Sequence, residues 1–257
     1  MDVRDRHDDI LALLGRDGRV EVDDLVRRFE VTPQTIRTDL RDLSDRGLIT
    51  RTHGGARRVT TVTNRDYAER RKLRAPAKRA IGRLAASLIP DDCAVSINIG
   101  TTTEQVAAGL TGHSGLVVLT NNINIVNALM GGKCRDLILV GGTVRQSDGA
   151  IVGDDAVAFL ERYKADVAVI GASALDADGS VTDYDAREVS VARAILRNAR
   201  RRILVADGSK FERTAPVRIC EVGDVDVFVS DTAPPPEFAA AAAAAGTEVL
   251  TVESQHG

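Results

Sequence analysis

The hydrophobic positions of the first 60 residues follow the three- and four-residue spacing of short amphipathic helices. Two such helices are predicted over residues 6–14 and 24–29, and a third begins after Thr32. That threonine can accept a backbone N–H as an N-cap, and Pro33 follows at a position where no N–H is needed. Because the turn between the second and third helices is brief, the pattern predicts a helix-turn-helix.

The third helix separates an apolar face from a polar face. Its apolar side chains, spaced to face a core, are Ile36, Leu40 and Leu43. The outward positions carry long donors and small hydroxyls, which suit base edges and phosphate oxygens. Gly47 follows where the helix would end. We therefore expect this helix to contact duplex DNA through Thr32, Gln34, Thr35, Arg37, Thr38 and Arg41.

Two short β-like runs on either side of Gly54 and Gly55 predict a hairpin wing. Basic side chains on a wing lie beside the DNA backbone, where they add affinity and salt dependence rather than sequence information. The predicted DNA-binding domain spans residues 1–59, and a polar, basic linker spans residues 60–77, some of whose cations could instead touch DNA or a ligand. The wing residues expected to contact DNA are Arg51, His53, Arg57 and Arg58.

From residue 78 to residue 257 the pattern changes to alternating helices and apolar strands. Strands that are apolar throughout and separated by helices imply a mostly parallel α/β sheet covered on both faces. The ligand of such a sheet binds outside the carboxyl ends of its strands, where this chain places polar loops. The strands are predicted over residues 94–99, 116–120, 137–140, 166–170, 203–206, 225–229 and 249–252.

The clearest polar loop is Gly100-Thr101-Thr102-Thr103, called the 100–103 loop below. The glycine lets the backbone approach a ligand, and the hydroxyls and the N–H groups at the next helix start favour an anion, although one threonine could simply cap the helix. Because the GxxxxGK[ST] and GxGxxG motifs are missing, we expect a small phosphate ester rather than a nucleotide. The predicted effector-binding residues are Asn98, Gly100, Thr101, Thr102, Thr103, Asn121, Asn122, Gly141, Gly142, Glu188, Asp207 and Lys210.

The other acids of this half could also accept hydrogen bonds from ligand hydroxyls, but we interpret most of them as solvated loop residues; they are Asp176, Asp178, Asp183 and Asp185. Net charge supports two functional parts, since residues 1–80 carry +5 and residues 81–257 carry −8. The three cysteines are far apart and the four histidines are scattered, so neither a disulfide framework nor a metal site is predicted, and no cofactor is expected. No apolar run is long enough to span a bilayer and no secretory signal is visible, which favours the cytoplasm.

Residues 31–40 (VTPQTIRTDL) and 47–56 (GLITRTHGGA) resemble the signature of the DeoR family of bacterial repressors. One departure is Thr38, where the family usually has arginine, which could change a phosphate or base contact. Further stretches lie in family order, so the resemblance covers nearly the whole chain. These stretches are residues 98–104, 120–124, 141–142, 148–153, 178–180, 185–189 and 207–211.

The resemblance implies a winged helix-turn-helix joined to a sensor domain similar to ribose-5-phosphate isomerase and glucosamine-6-phosphate deaminase folds. It also implies repression of glycerol or sugar catabolic genes, relieved when a phosphorylated metabolite binds. Within the family the motifs are most similar to regulators of glycerol 3-phosphate genes, so glycerol 3-phosphate is the first expectation and a hexose or fructose phosphate the second. A homo-oligomer, dimer or tetramer, is expected because helix-turn-helix proteins usually bind two half-sites.

Two other functions stay open at this point. One is a sugar-phosphate isomerase with an appended DNA module, in which Glu188 or Asp207 would supply the carboxylate base that isomerisation needs. The other is a DNA-binding scaffold whose pocket has lost its ligand.

Overall fold

The computed structural model describes residues 3–17, 19–45, 49–52, 54–58 and 67–252. The chain forms two compact units, Met1–Thr61 and Val62–Gly257. The elements of the first unit are α1 (Val3–Asp17), β1 (Arg19–Glu21), α2 (Val22–Phe29), α3 (Pro33–Asp45), β2 (Ile49–Arg51) and β3 (Gly55–Arg58).

The first unit is a winged helix-turn-helix, as predicted. The N–H of Thr35 donates to the Thr32 hydroxyl at 3.1 Å, so the predicted cap of α3 is formed. Strands β2 and β3 make the wing, and β1 pairs with β3 to give an antiparallel sheet in the order β1-β3-β2. The predicted helix end at Gly47 lies outside the described residues. The predicted apolar face of α3 is buried in the core of this unit through Ile36, Leu40 and Leu43.

A buried ion pair joins the first helix of this unit to the third. The Arg6 guanidinium donates to both carboxylate oxygens of Asp39 at 2.6 and 3.1 Å, and both side chains are almost fully buried. The ring nitrogen Nε2 of His7 lies 3.2 Å from the same carboxylate. Asp39 therefore fixes α3 against α1 from the face opposite to the exposed donors.

The second unit is an α/β domain built on a parallel sheet. Its helices are α4 (Tyr67–Lys72), α5 (Ala75–Ser87), α6 (Thr103–Gly109), α7 (Ile123–Leu129), α8 (Asp154–Leu160), α9 (Ala186–Arg197) and α10 (Pro236–Ala245). Its strands are β4 (Ala94–Ile97), β5 (Val117–Thr120), β6 (Asp136–Leu139), β7 (Val144–Arg145), β8 (Ala150–Ile151), β9 (Ala165–Gly171), β10 (Ala174–Leu175), β11 (Ser180–Asp183), β12 (Ala199–Val205), β13 (Val217–Glu221), β14 (Val227–Ser230) and β15 (Glu248–Thr251).

Seven strands form the central sheet in the order β15-β14-β12-β9-β4-β5-β6, and every neighbouring pair is parallel. Both faces are covered, as the continuous apolar runs predicted. Along β9, Val167 and Val169 pack into one core cluster with α5 and α6, while Ala168 and Ile170 pack into the other with α8 and α9. The alternation follows from the two-residue period of a strand.

Several elements of the second unit differ from the prediction. The β7–β8 hairpin, helix α8 and a small antiparallel sheet in the order β10-β11-β13 were not predicted. Helix α9 ends at Arg197, because β12 begins at Ala199 by pairing with Ala165 of β9. The linker predicted over residues 60–77 includes α4 and the start of α5, which belong to the second unit. Among the described residues, no helix has both the length and the apolar composition to cross a membrane.

Candidate functional site

A cleft lies at the carboxyl ends of β4 and β9. Its volume is about 600 Å³, which includes the part that is open to solvent. From β4 the next strand along the chain, β5, lies toward one edge of the sheet, and from β9 the next sheet strand, β12, lies toward the opposite edge. This is the point where the strand order reverses, which is where open α/β sheets bind ligands. The predicted residues that line the cleft are Asn98, Gly100, Thr101, Thr102, Asn122, Glu188 and Lys210.

The other predicted effector residues do not line the cleft, and each has a structural reason. The hydroxyl of Thr103 donates to the carbonyl of Gly100 at 2.8 Å, and the amide of Asn121 donates to the carbonyl of Ile151 at 3.0 Å. The carboxylate of Asp207 is buried and accepts the N–H and the hydroxyl of Ser209 at 3.1 and 2.5 Å. Gly141 and Gly142 follow the edge strand β6 and are exposed, remote from the β4/β9 junction.

The 100–103 loop is held in place from behind. Gly100 has φ +146°, a conformation that a side chain at this position would strain, and an added Cβ would lie 3.2 Å from Thr103 Oγ1. The buried ammonium of Lys78 donates to the hydroxyl of Thr101 at 3.0 Å and to the carbonyl of Arg70 at 2.6 Å. Burial lowers the pKa of Lys78. Lys78 therefore connects α4 to the 100–103 loop. No binding role had been assigned to this lysine from the sequence.

Two cationic side chains line the cleft. Lys210 is nearly buried, and this burial lowers the pKa of its ammonium to about 8, although the nearby Asp207 opposes the shift. Arg70 comes from α4, and its guanidinium approaches the carboxylate of Asp148 only to 3.9 Å. From sequence, Arg70 was assigned to the basic linker, with contact to DNA or a ligand left open as the alternative for some of its cations.

Carboxylates share the cleft with these cations. Asp183 at the end of β11 lines it beside Glu188, so its interpretation as a solvated loop acid was wrong. Burial, then the charge of Asp183, raises the pKa of Glu188 to about 7, while burial also raises the pKa of Asp183. Arg145 on the hairpin donates to Glu188 at 2.5 Å, to Asp148 at 2.6 Å and to Asp185 at 3.2 Å. One guanidinium therefore holds the hairpin and the start of α9 together at the cleft.

A hydrogen-bond network attaches α4 to the cleft wall. The Tyr67 hydroxyl donates to the Glu104 carboxylate at 2.7 and 2.8 Å, and the Asn124 amide donates to Glu104 at 3.1 Å. Burial, followed by the bond to Glu104, raises the pKa of Tyr67. Asn122 joins through a 3.3 Å contact from its amide to Glu104. Sequence reasoning missed Tyr67 because it precedes the first strand and follows no strand end.

In the described residues, no group of three or more His, Cys, Asp or Glu side chains is arranged to hold a metal ion. Within the described part of the chain, the buried atoms Asn98 Oδ1 and Arg70 Nε have no hydrogen-bond partner. A buried polar atom without a partner is costly, so both point to a ligand that would complete them.

The predicted DNA-contacting residues fall on one helix face and on the wing. Gln34, Arg37 and Arg41 are exposed on α3, while Thr35 and Thr38 are half-buried. The Thr32 hydroxyl is used by the helix cap, where it also lies 2.9 Å from the hydroxyl of Thr35. His53 lies outside the described residues. The wing strands β2 and β3 carry Arg51, Arg57 and Arg58.

Comparison with known proteins gives two family matches that together cover most of the chain. Residues 6–62 match the DeoR-like helix-turn-helix domain, and residues 74–232 match the DeoR C-terminal sensor domain. The chain is 41% identical over 229 residues to the glycerol-3-phosphate regulon repressor of Haemophilus influenzae, covering 89% of each protein. It is 40% identical over 230 residues to the protein of the same description in Escherichia coli, covering 90% of this chain and 91% of that protein.

A further relative is the HTH-type transcriptional repressor CsqR of Escherichia coli, 36% identical over 90% of this chain and 88% of that protein. Among solved structures, ribose 5-phosphate isomerase A from Neisseria gonorrhoeae superposes with a TM-score of 0.39 at 14% identity, covering 52% of each chain. The structural similarity is too low to support an argument. The sequence relatives are transcriptional repressors rather than enzymes.

Proposed function

Since this chain belongs to the DeoR family of transcriptional regulators, we propose that it represses glycerol or sugar catabolic genes and leaves its operator when a phosphorylated metabolite enters the cleft. It is a DNA-binding repressor with a ligand-sensing domain, and not an enzyme. Glycerol 3-phosphate is the first candidate effector, because two relatives near 40% identity carry that compound in their names. Fructose or another sugar phosphate is the alternative.

The observation that carries this proposal is the mixed charge of the cleft. Arg70 and Lys210 supply cationic donors, and the 100–103 loop adds the hydroxyls of Thr101 and Thr102. Charge-assisted hydrogen bonds of this kind are stronger than neutral ones and suit a phosphate group. An anionic ligand is therefore favoured over a neutral sugar.

The acids of the same cleft favour an ester that also carries hydroxyls. Asp183 and Glu188 can accept hydrogen bonds from ligand hydroxyl groups, and the unpaired Oδ1 of Asn98 can accept another. Inorganic phosphate lacks the carbon-bound hydroxyl groups that would donate to these carboxylates. A polyol phosphate or sugar phosphate has a phosphate group for the cationic donors and hydroxyl groups for the carboxylate acceptors. We therefore propose a ligand of this class.

On the DNA side, we propose that α3 enters the major groove and that the wing follows the sugar-phosphate backbone in the cytoplasm. Gln34, Arg37 and Arg41 are exposed on α3 with the length to reach base edges. A dimer or tetramer would bring two such helices to adjacent half-sites. Sedimentation velocity of the full chain with and without operator measures that assembly.

Release requires that the ligand bind the DNA-competent and the DNA-incompetent arrangements with different affinity. The test is fluorescence anisotropy of a labelled operator titrated with protein at fixed salt, repeated with glycerol 3-phosphate, fructose 1-phosphate, fructose 6-phosphate and glucose 6-phosphate. Glycerol and inorganic phosphate serve as controls that each keep half of the effector. We expect release by one phosphate ester and by neither control.

The result has a clear alternative outcome. If operator affinity does not change with any of these esters, the sensing claim fails while the DNA-binding claim stands. If a hexose or fructose phosphate acts at lower concentration than glycerol 3-phosphate, the alternative effector is correct.

A further inference from the structure

We propose that Arg70 is the cleft residue through which a bound anion acts on the segment that leads to the DNA-binding unit. This inference rests on the proposed function, since it assumes that an anionic effector occupies the cleft. The inference adds to the proposed function a specific residue, Arg70, and the helix α4 whose position would respond to the bound anion.

Among the described residues, Arg70 is incompletely paired. Its Nε is buried and makes no hydrogen bond to any residue that the structure describes, and its Nη2 lies 3.9 Å from the carboxylate of Asp148. Asp148 is already held by Arg145 through contacts of 2.9 and 2.6 Å, so it has little capacity left for a second guanidinium. An anionic ligand oxygen would supply the missing acceptor for the Arg70 Nε–H.

The backbone of Arg70 is connected to the loop that lines the same cleft. Its carbonyl accepts from Lys78 Nζ, and the same Nζ donates to Thr101 of the 100–103 loop. Both ends of Arg70 therefore respond to what fills the cleft. A ligand that displaces Thr101 changes the partner of Lys78, and a ligand that binds the guanidinium pulls directly on the side chain.

Helix α4 depends on these contacts for its position. It has six residues and none of them is buried, whereas short isolated helices are not stable in water. The contacts that hold it include the bond from Tyr67 to Glu104 at one end and the bond from Lys78 to Arg70 at the other. Because few apolar contacts fix α4, a change in polar contacts is enough to move it.

The place of α4 in the chain gives that movement a consequence. The second unit begins at Val62, and α4 is the first element described in it. The chain before it runs back to β3, which ends at Arg58 in the wing. Helix α4 is thus the first described element after the stretch that joins the two units, and its displacement is the step that we propose links the cleft to the DNA-binding unit.

The test compares Arg70→Gln and Arg70→Lys with Lys72→Gln, a matched loss of charge at an exposed position on the same helix. Two quantities are measured on the full chain: the Kd of glycerol 3-phosphate by calorimetry, and operator release by anisotropy at saturating ligand. We expect Arg70→Gln to weaken ligand binding by about tenfold or more, as loss of a hydrogen bond to a charged group implies. Operator release at saturation should also be lost, and Lys72→Gln should match the wild type.

The conservative variant guards against a general loss of structure. Arg70→Lys keeps the charge and the carbonyl that Lys78 contacts but lacks the guanidinium Nε–H, so it should bind ligand weakly and release incompletely. If either Arg70 variant releases the operator fully once ligand is saturating, Arg70 is a binding contact only and the inference is overturned. Wild-type affinity and wild-type release in both variants would overturn it as well. If the wild type itself responds to no ester, the proposed function fails first.

Discussion

Lys210→Met tests whether the cleft holds a cation at the expense of stability. Lys210 is nearly buried, and its pKa falls from 10.5 to about 8, mainly because burial disfavours the charged form. At about 1.4 kcal/mol for each pH unit, this fall corresponds to roughly 3 kcal/mol of destabilisation when the ammonium is charged. Methionine keeps the apolar stem without the charge, so the unliganded variant should be more stable by up to that amount at pH 7.

The pH dependence gives the prediction its sign. The unfolded chain holds the Lys210 proton up to pH 10.5, whereas the folded chain loses it from about pH 8. The penalty is therefore fully present below pH 8 and disappears as the pH rises from 8 toward 10.5. The stability gain of Lys210→Met over the wild type should shrink across that window.

Urea unfolding followed by far-UV circular dichroism measures the effect, because the chain has no tryptophan for fluorescence. The two units need not unfold together, so the transition of the larger unit is fitted separately. Lys133→Met, at an exposed lysine of the same unit, is the control and should change stability by less than about 0.5 kcal/mol. The variant should also lose its thermal response to glycerol 3-phosphate. A Lys210→Met protein that is equally or less stable at pH 7 would refute the idea of a strained cleft cation.

Four substitutions elsewhere have defined outcomes. Asp39→Asn should lower the free energy of unfolding of the DNA-binding unit by roughly 3 kcal/mol, seen as a lower melting temperature, because it removes the charge that pairs buried Arg6. Arg37→Ala should weaken operator binding selectively, whereas Arg57→Ala should weaken all duplexes alike and reduce the salt slope by about one; an unchanged slope excludes a phosphate contact. Gly100→Ala should strain the 100–103 loop by roughly 1–3 kcal/mol, because Gly100 has a positive φ, and should abolish the thermal shift caused by the phosphate ester. A ligand Kd equal to that of the wild type would contradict this prediction.

The parts of the fold that sequence predicts are those with a local signal. The apolar run predicted over residues 116–120 is β5 at Val117–Thr120, and the cap at Thr32 is formed as expected. Such elements are specified by residues that are neighbours in the chain. The two-residue strands β7 and β8 have no run to detect, and β11 pairs with β13, which begins more than 30 residues later at Val217. These elements exist through long-range pairing.

The candidate site divides in the same way. Residues at the ends of β4 and β5 were predicted because parallel topology brings strand ends to one edge. Gly141 and Gly142 met the same rule but follow the edge strand β6, and the strand order that puts β6 at the edge is not visible in the pattern. Asp183 resembled its solvated neighbours in sequence, yet pairing of β11 with β13 carries it to the cleft.

The charged residues that line the cleft decide which ligands it can distinguish. Arg70 and Lys210 alone would bind any phosphate, and a regulator built only on them would respond to inorganic phosphate as readily as to an ester. Asp183 and Glu188 repel a bare dianion but accept hydrogen bonds from hydroxyl groups held beside it. Repulsion of the wrong ligand is a source of specificity alongside attraction of the right one. Because burial raises the pKa of Glu188 to about 7, that discrimination should strengthen as the pH rises through neutrality and Glu188 becomes fully charged.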